Sequence, residues 1–307
     1  MKKLLFFLFL LIVLFLVYVK RDYIVNIIMR NHIYGEYIVF GEPNSYYKDY
    51  DYKFVQNTTN LIPNNRQDIL NIIYTTLNRG LDEITFYCSK DYSSCVDDVN
   101  DIAEDNLYLS TINNLVHPYN SYSKINFTIN TYGKISISIS KIYSEDDIEF
   151  VNNRLDEITD SIIDDDMSIY DKIKVFHDYI IDHTVYDSSV SIENQLSNGT
   201  NSNNAFGLLL NGKAICSGYS DIMAIFLNKY KINNYKISSD EHIWNLVYYD
   251  GKWKHIDVTW DDPVTSDGNN VLLHDFFLIN SDELFDKESS FDKYNHEFNK
   301  DLYIEAN

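Results

Sequence analysis

A mixed α+β fold is expected from three observations on the sequence. Apolar residues recur at helical spacing in several separate segments, as at Ile69, Ile72, Ile73 and Leu77. In other segments they alternate, as in KINFTINTYGKISISISKIY, where Tyr132-Gly133 reads as a turn between two period-two runs. The 45% hydrophobic content, with 26 tyrosines and 17 phenylalanines, supplies ample core and argues against disorder.

The N-terminus comes first. Met1-Lys2-Lys3 precedes an unbroken apolar run, Leu4 to Val19, closed by Lys20-Arg21. At 1.5 Å per residue the run spans about 24 Å, somewhat short of a ~30 Å hydrocarbon core. Snorkelling lysines and local thinning can cover that difference. No Ala, Gly or Ser occurs before Gly35, so the small residues of a signal-peptidase site are missing. Residues 1–21 therefore read as an uncleaved signal-anchor, N-terminus inside and the acidic bulk exported, with a cleaved and secreted chain as the alternative. The partner expected from this segment is a membrane.

Net charge is −21, and the only basic cluster lies within the first 21 residues. Such a surface repels nucleic acid and anionic headgroups, and nucleic acid is excluded as a partner.

Residues 22–142 read as a small α+β region. DILNIIYTTLNRG is a helix stopped by Gly80, EITFYC a strand, and CVDDVNDIAEDNLY one amphipathic helix, followed by the alternating hairpin. Cys88 and Cys95 bracket six residues. A short-loop disulfide and two free thiols both fit them, while zinc would need further ligands. Residues 143–307 form the second unit. Ser144 to Asp147 is a capping box, with Ile148, Val151, Leu155, Ile158 and Ile162 along one helical face. Ser168 to Asp171 opens another helix, and Asp164-Asp165-Asp166 reads as a solvated loop between the two.

Chemistry concentrates in the second unit. In GKAICSGYSDIMAIF, Cys216 stands at the first turn of a helix expected from about Ser217 to Tyr230. Helix dipole and free N–H groups there favour a thiolate. HIWNLVYYDGKWKHIDVTWDDP follows, two alternating runs joined by Asp250-Gly251. With a two-residue turn, Tyr249 faces Lys252. His242 and Asp257 then become diagonal neighbours on one face, within reach of each other. A three-residue bulged turn would flip one strand and separate them. A carboxylate holding an imidazole whose other nitrogen meets a thiol is the arrangement of a cysteine nucleophile. His177, His183, His255 and His274 have no matching set and read as structural.

The blocks AFGLLLNGKAICSGYSDIMAIFL, HIWNLV and DGKWKHIDVTWDDP resemble, in order and spacing, those of bacterial transglutaminase-like proteins. DKIKVFHDYIIDHTVYD and HDFFLINSDE resemble their flanks, so the resemblance covers roughly residues 168–285. It implies a papain-like fold in which the nucleophile's helix packs on an antiparallel sheet. It also implies Cys216 as nucleophile, His242 as base and Asp257 as the orienting acid. Ser217 and Ile243 stand where an acid and a small residue are common, and neither departure touches the chemistry. The Cys216 N–H and one upstream donor, with Tyr186 and Gln195 as candidates, would hold an oxyanion.

Neither cofactor nor metal is expected, and the substrate is a protein or peptide. Water as acceptor gives a peptidase or amidase, the leading expectation. A lysine amine gives a transglutaminase, and the fold without turnover gives a binding scaffold.

Full-length protein is expected to fractionate with membranes, and a chain starting at Asp22 to remain soluble. N-terminal sequencing that finds mature protein beginning after Val19 would replace the anchor by a cleaved signal.

Overall fold

Helix starts in this chain are set by short polar side chains. In the computed structural model, which describes residues 2–21, 24, 39–89, 91–130, 133–190, 201–264, 271–291 and 295–306, most helices open on such a cap. The first helix, α1 (Lys2–Val19), is the apolar run, and its described side chains from Phe6 to Val19 are all exposed. Among the described residues no helix is long and apolar enough to cross a membrane.

Asn65 caps α2 (Arg66–Asn78) by accepting from the Asp68 N–H. The single helix expected over residues 95–108 is instead two, α3 (Cys95–Glu104) and α4 (Asn106–Leu115). Asp105 is the reason. Its carboxylate accepts from the N–H groups of Leu107 and Tyr108, so it ends one helix and caps the next.

A three-stranded antiparallel sheet in the order β1-β3-β2 packs against these helices. Its strands are β1 (Glu83–Tyr87), β2 (Tyr122–Ile129) and β3 (Lys134–Lys141). Ile125 faces Ile139, Phe127 faces Ile137 and Ile129 faces Ile135, as the alternation requires. Tyr132 of the expected turn lies outside the described residues, and Gly133 takes a positive φ of 77°. Cys88 and Cys95 are joined in a disulfide between the end of β1 and the start of α3.

The second half opens with α5 (Glu145–Ile162), where the Ser144–Asp147 capping box is formed in both directions. It continues with α6 (Ile169–His183), capped by Ser168. Strand β4 (Val185–Tyr186) pairs in parallel with β5 (Lys213–Ala214), which follows α7 (Ala205–Asn211). Next is α8 (Cys216–Lys229). The main sheet is antiparallel in the order β6-β7-β8-β9, formed by β6 (Asn234–Ser238), β7 (Ile243–Tyr249), β8 (Lys252–Ile256) and β9 (Phe277–Ile279). Helix α9 (Ser281–Phe291) follows.

Helix α8 is buried along most of its length, with Phe226 stacked on Phe176 of α6 at 3.9 Å between ring centres. Asp221 fixes it to the sheet. One carboxylate oxygen accepts from Lys236 Nζ and the other from Tyr143 OH, both at 2.6 Å. One apolar core joins residues on both sides of position 142: Ile72, Phe86 and Ile137 pack in the same cluster as Tyr235, Trp244 and Tyr303. The other surrounds α8 with Phe176, Val247, Ile256 and Phe277.

Because Cys88 and Cys95 are bonded, only one of the three cysteines is free. Denatured but unreduced protein should therefore titrate one thiol. Cys88→Ser should lower unfolding stability by about 2–3 kcal/mol, the loop-closure contribution of so short a ring. Three titratable thiols would overturn the assignment.

Candidate active site

Cys216 occupies the first turn of α8, and no side chain caps that end, since the preceding residue is Ile215. A helix start without a side-chain acceptor leaves N–H groups and positive dipole charge facing whatever lies in front of it. Gly218 makes the approach possible. A Cβ there would lie 2.6 Å from the Ser202 carbonyl oxygen and 2.9 Å from the Ala214 methyl.

The hairpin settles the histidine. Asp250 and Gly251 both take positive φ, 50° and 75°, the primed turn that an Asp-Gly pair favours. Tyr249 therefore faces Lys252 and Asn245 faces Ile256, the two-residue register expected from the sequence. Just beyond the paired residues, His242 Nε2 meets Asp257 Oδ2 at 2.5 Å. Asn245 Nδ2 donates to the Ser220 carbonyl, tying β7 to α8, so the histidine's strand and the cysteine's helix hold a fixed separation.

All three groups are buried, Cys216 to 8%, His242 to 7% and Asp257 to 1% exposure. Asp257 Oδ1 accepts from the N–H groups of Thr259 and Trp260 at 2.9 and 3.1 Å. Burial works against an ionised Asp257. The charge and hydrogen bond of His242, then those of His296, outweigh it and hold the carboxyl well below the ordinary carboxylate range. Burial likewise opposes a charged His242, but the Asp257 charge and hydrogen bond and a hydrogen bond with Cys216 raise it above the ordinary imidazole value. With Nε2 on Asp257, Nδ1 is the nitrogen left for the thiol.

A cavity of about 640 Å³ opens on the thiol, lined by Tyr186, Cys216, Glu241, His242, Trp260 and Asp262 among others. Burial pushes the Asp262 carboxyl up to about 6, and the Tyr219 hydroxyl donates to it at 2.6 Å. Tyr186, one of the two oxyanion donors considered from the sequence, stands on this cavity. Its phenol is raised by burial and then by the charges of Cys216 and Asp257. Gln195, the other, lies outside the described residues.

His255 is buried, accepts from Trp244 Nε1 at Nδ1 and faces Ser281 Oγ through Nε2. Burial, then the His296 charge, pushes it down to about 3, so it is a neutral packing residue. His183 sits at the end of α6 against the Tyr179 carbonyl. His177 bridges Asp178 at 2.9 Å and Asp261 at 3.2 Å, and His274 meets Asp178 at 2.6 Å. That network pins the segment after the hairpin, because Asp261 also accepts from the Phe276 N–H.

Among the described residues two sets bring ligand-type atoms within 4.8 Å of one another: His177, Asp178 and His274, and His242, Asp257 and His296. In both sets ring nitrogens already face carboxylate oxygens at hydrogen-bond distance. His296 was missed in the sequence. It lies 39 positions after Asp257 with no periodic pattern around it, yet its Nε2 reaches Asp257 Oδ2 at 2.7 Å.

No family model matches the chain, and no curated protein does. Solved structures similar to it include a TGase, at 20% identity and a TM-score of 0.34, covering 45% of this chain and 44% of that one. Another is a putative cysteine protease from Cytophaga hutchinsonii, at 13% identity and a TM-score of 0.28, covering 49% of this chain and 65% of that one. The chain thus spans less than two thirds of either. The residues and their geometry define the site.

The two titrations give opposite signs. Stability gained through the lowered Asp257 is present above about pH 4 and is lost as pH falls through its native value. Stability gained through the raised His242 is present below about pH 6.5 and is lost as pH rises through its native value. Asp257→Ala should therefore cost about 3–5 kcal/mol near neutrality, the cost of breaking a buried pair. That difference should shrink at strongly acidic pH, as measured by denaturant unfolding of both proteins across the range.

Proposed function

We propose that this chain is a thiol-dependent acyl-transfer enzyme of the transglutaminase-like class that hydrolyses a peptide or amide bond. The observation that carries the proposal is the convergence of an uncapped helix start bearing Cys216 and a buried His242–Asp257 pair on one cavity. The resemblance of the three motif blocks supports the same class.

The steps follow from the parts. His242 takes the thiol proton, Cys216 sulfur attacks the carbonyl carbon, and the electron pair moves onto oxygen. The Cys216 N–H would hold that oxyanion, with the Tyr186 hydroxyl on the same cavity as a candidate second donor. His242 then protonates the leaving amine, a thioester remains on Cys216, and water activated by His242 releases the acid. Asp257 keeps the imidazole oriented and stabilises its charged form.

The same proposal leaves the acidic bulk outside the cell, tethered by the apolar run Leu4 to Val19 as a signal-anchor that falls short of a full span and relies on the snorkelling lysines at its ends. The Cys88–Cys95 disulfide supports it, because such bonds persist in oxidising compartments.

Three substitutions separate the roles. Cys216→Ala should abolish turnover, and His242→Ala should come close to that, with a residue of activity at high pH. Asp257→Asn, which removes only the charge behind the imidazolium, should cost less than either. Double variants should be scarcely worse than Cys216→Ala, since the groups act as one unit. With a glutamine peptide and a labelled amine, little incorporation is expected. Efficient incorporation blocked by Cys216→Ala would make the acceptor an amine, and parental activity in folded Cys216→Ala would move the site elsewhere.

A further inference from the structure

Asp257 serves two histidines. His296 directs Nε2 to the same Asp257 oxygen that meets His242, and directs Nδ1 to Glu288 Oε1 at 2.8 Å. A neutral imidazole has one donor nitrogen, so two carboxylates, one at each nitrogen, are both satisfied only by a ring carrying two protons. Glu288 is fixed independently of the ring it faces, since its Oε1 also accepts from the N–H groups of Asn295 and His296. His296 is fully buried, with Phe276 stacked on one face and the edges of Trp244 and Trp260 around it.

We propose that His296 and Glu288 extend the Cys216–His242–Asp257 row into a buried five-member relay. In it the His296 imidazolium, held by Glu288, positions the Asp257 carboxylate and limits how tightly that carboxylate retains the His242 proton. The proposal rests on the acyl-transfer reading above and deepens it. A buried aspartate serving His242 alone would concentrate its charge on one proton. A base that must give its proton to a leaving group and take one from water works best when neither state is locked.

The groups facing His296 are few. Asp257 comes from the end of β8 and Glu288 from α9, while His242 precedes β7 with its ring centre 5.2 Å away. His255 of β8 is held neutral by burial and by the His296 charge. Burial opposes charging His296, but its hydrogen bonds to Asp257 and Glu288 raise it above the ordinary imidazole value, and His242 pulls the other way. The two rings therefore compete for one carboxylate, so removing the His296 charge strengthens the hold on the His242 proton.

The test uses iodoacetate on the whole protein, so no substrate need be known. Its alkylation of Cys216 rises with pH as thiolate forms, and falls as the His242 imidazolium that attracts the anion is lost. His296→Gln keeps a donor towards Asp257 without the charge. Glu288→Gln keeps the acceptor for the two backbone N–H groups while taking away the carboxylate that sustains the charge. In both, the falling limb should move up by about one pH unit, the scale of one near charge. A purely structural role would change the melting temperature and leave that limb in place. If His296→Gln does not fold, Glu288→Gln carries the test. Bell-shaped profiles with the same falling limb in parent and folded variants would overturn the relay and leave the nucleophile standing. A parent profile with only the single rise of an ordinary thiol would overturn the acyl-transfer reading and the relay together.

Discussion

A buried carboxylate is costly unless every lone pair finds a donor, and Asp257 is almost wholly buried. Its two oxygens accept from two imidazoles and two backbone N–H groups. Those donors come from the residue before β7, from the turn after β8 and from the segment after α9. Satisfying one side chain thereby brings three separate stretches of chain together. Each stretch has its own reason to be there, but the carboxylate sets where they meet.

The scaffold around that point is rigid for reasons of packing. Helix α8 is clamped by the Phe176–Phe226 stack, by the Lys236–Asp221–Tyr143 hydrogen bonds and by Asn245 reaching the Ser220 carbonyl. Buried polar groups with complete partners specify one arrangement and resist sliding, whereas an apolar interface alone tolerates some repacking. A thiol at the start of such a helix keeps its distance from a base on the neighbouring strand. Preorganisation of that kind is what the proposed acyl transfer would draw on, because little rearrangement would be left for the reaction itself.

The first half contributes more than a passive prefix. Lys48 Nζ and the Tyr52 hydroxyl both donate to the carbonyls of Leu115 and Asn234, bridging α4 and the start of β6. Burial, with the Lys236 charge adding to it, lowers the Lys48 amine to about 7. With Trp244 and Tyr303 in the same core as Ile72 and Phe86, the sheet that holds His242 is supported on one side by the segment without catalytic motifs.

By itself, the sequence determined every feature that depends on near neighbours. The hairpin register followed from Asp250-Gly251, because a two-residue primed turn permits one pairing and period two then decides the faces. The capping box at Ser144, the alternation of Ile135, Ile137 and Ile139, and Cys216 at a helix start followed in the same way, since each is a matter of a few residues' spacing. Tertiary structure alone decided the rest. Asp105 split a helix that its apolar pattern would have continued, through a capping competition that periodicity does not register. The choice between a disulfide and two free thiols at Cys88 and Cys95 turned on whether β1 and α3 bring the two sulfurs together. His296, held by Glu288 of α9, reaches Asp257 across 39 residues, a contact that no local pattern encodes.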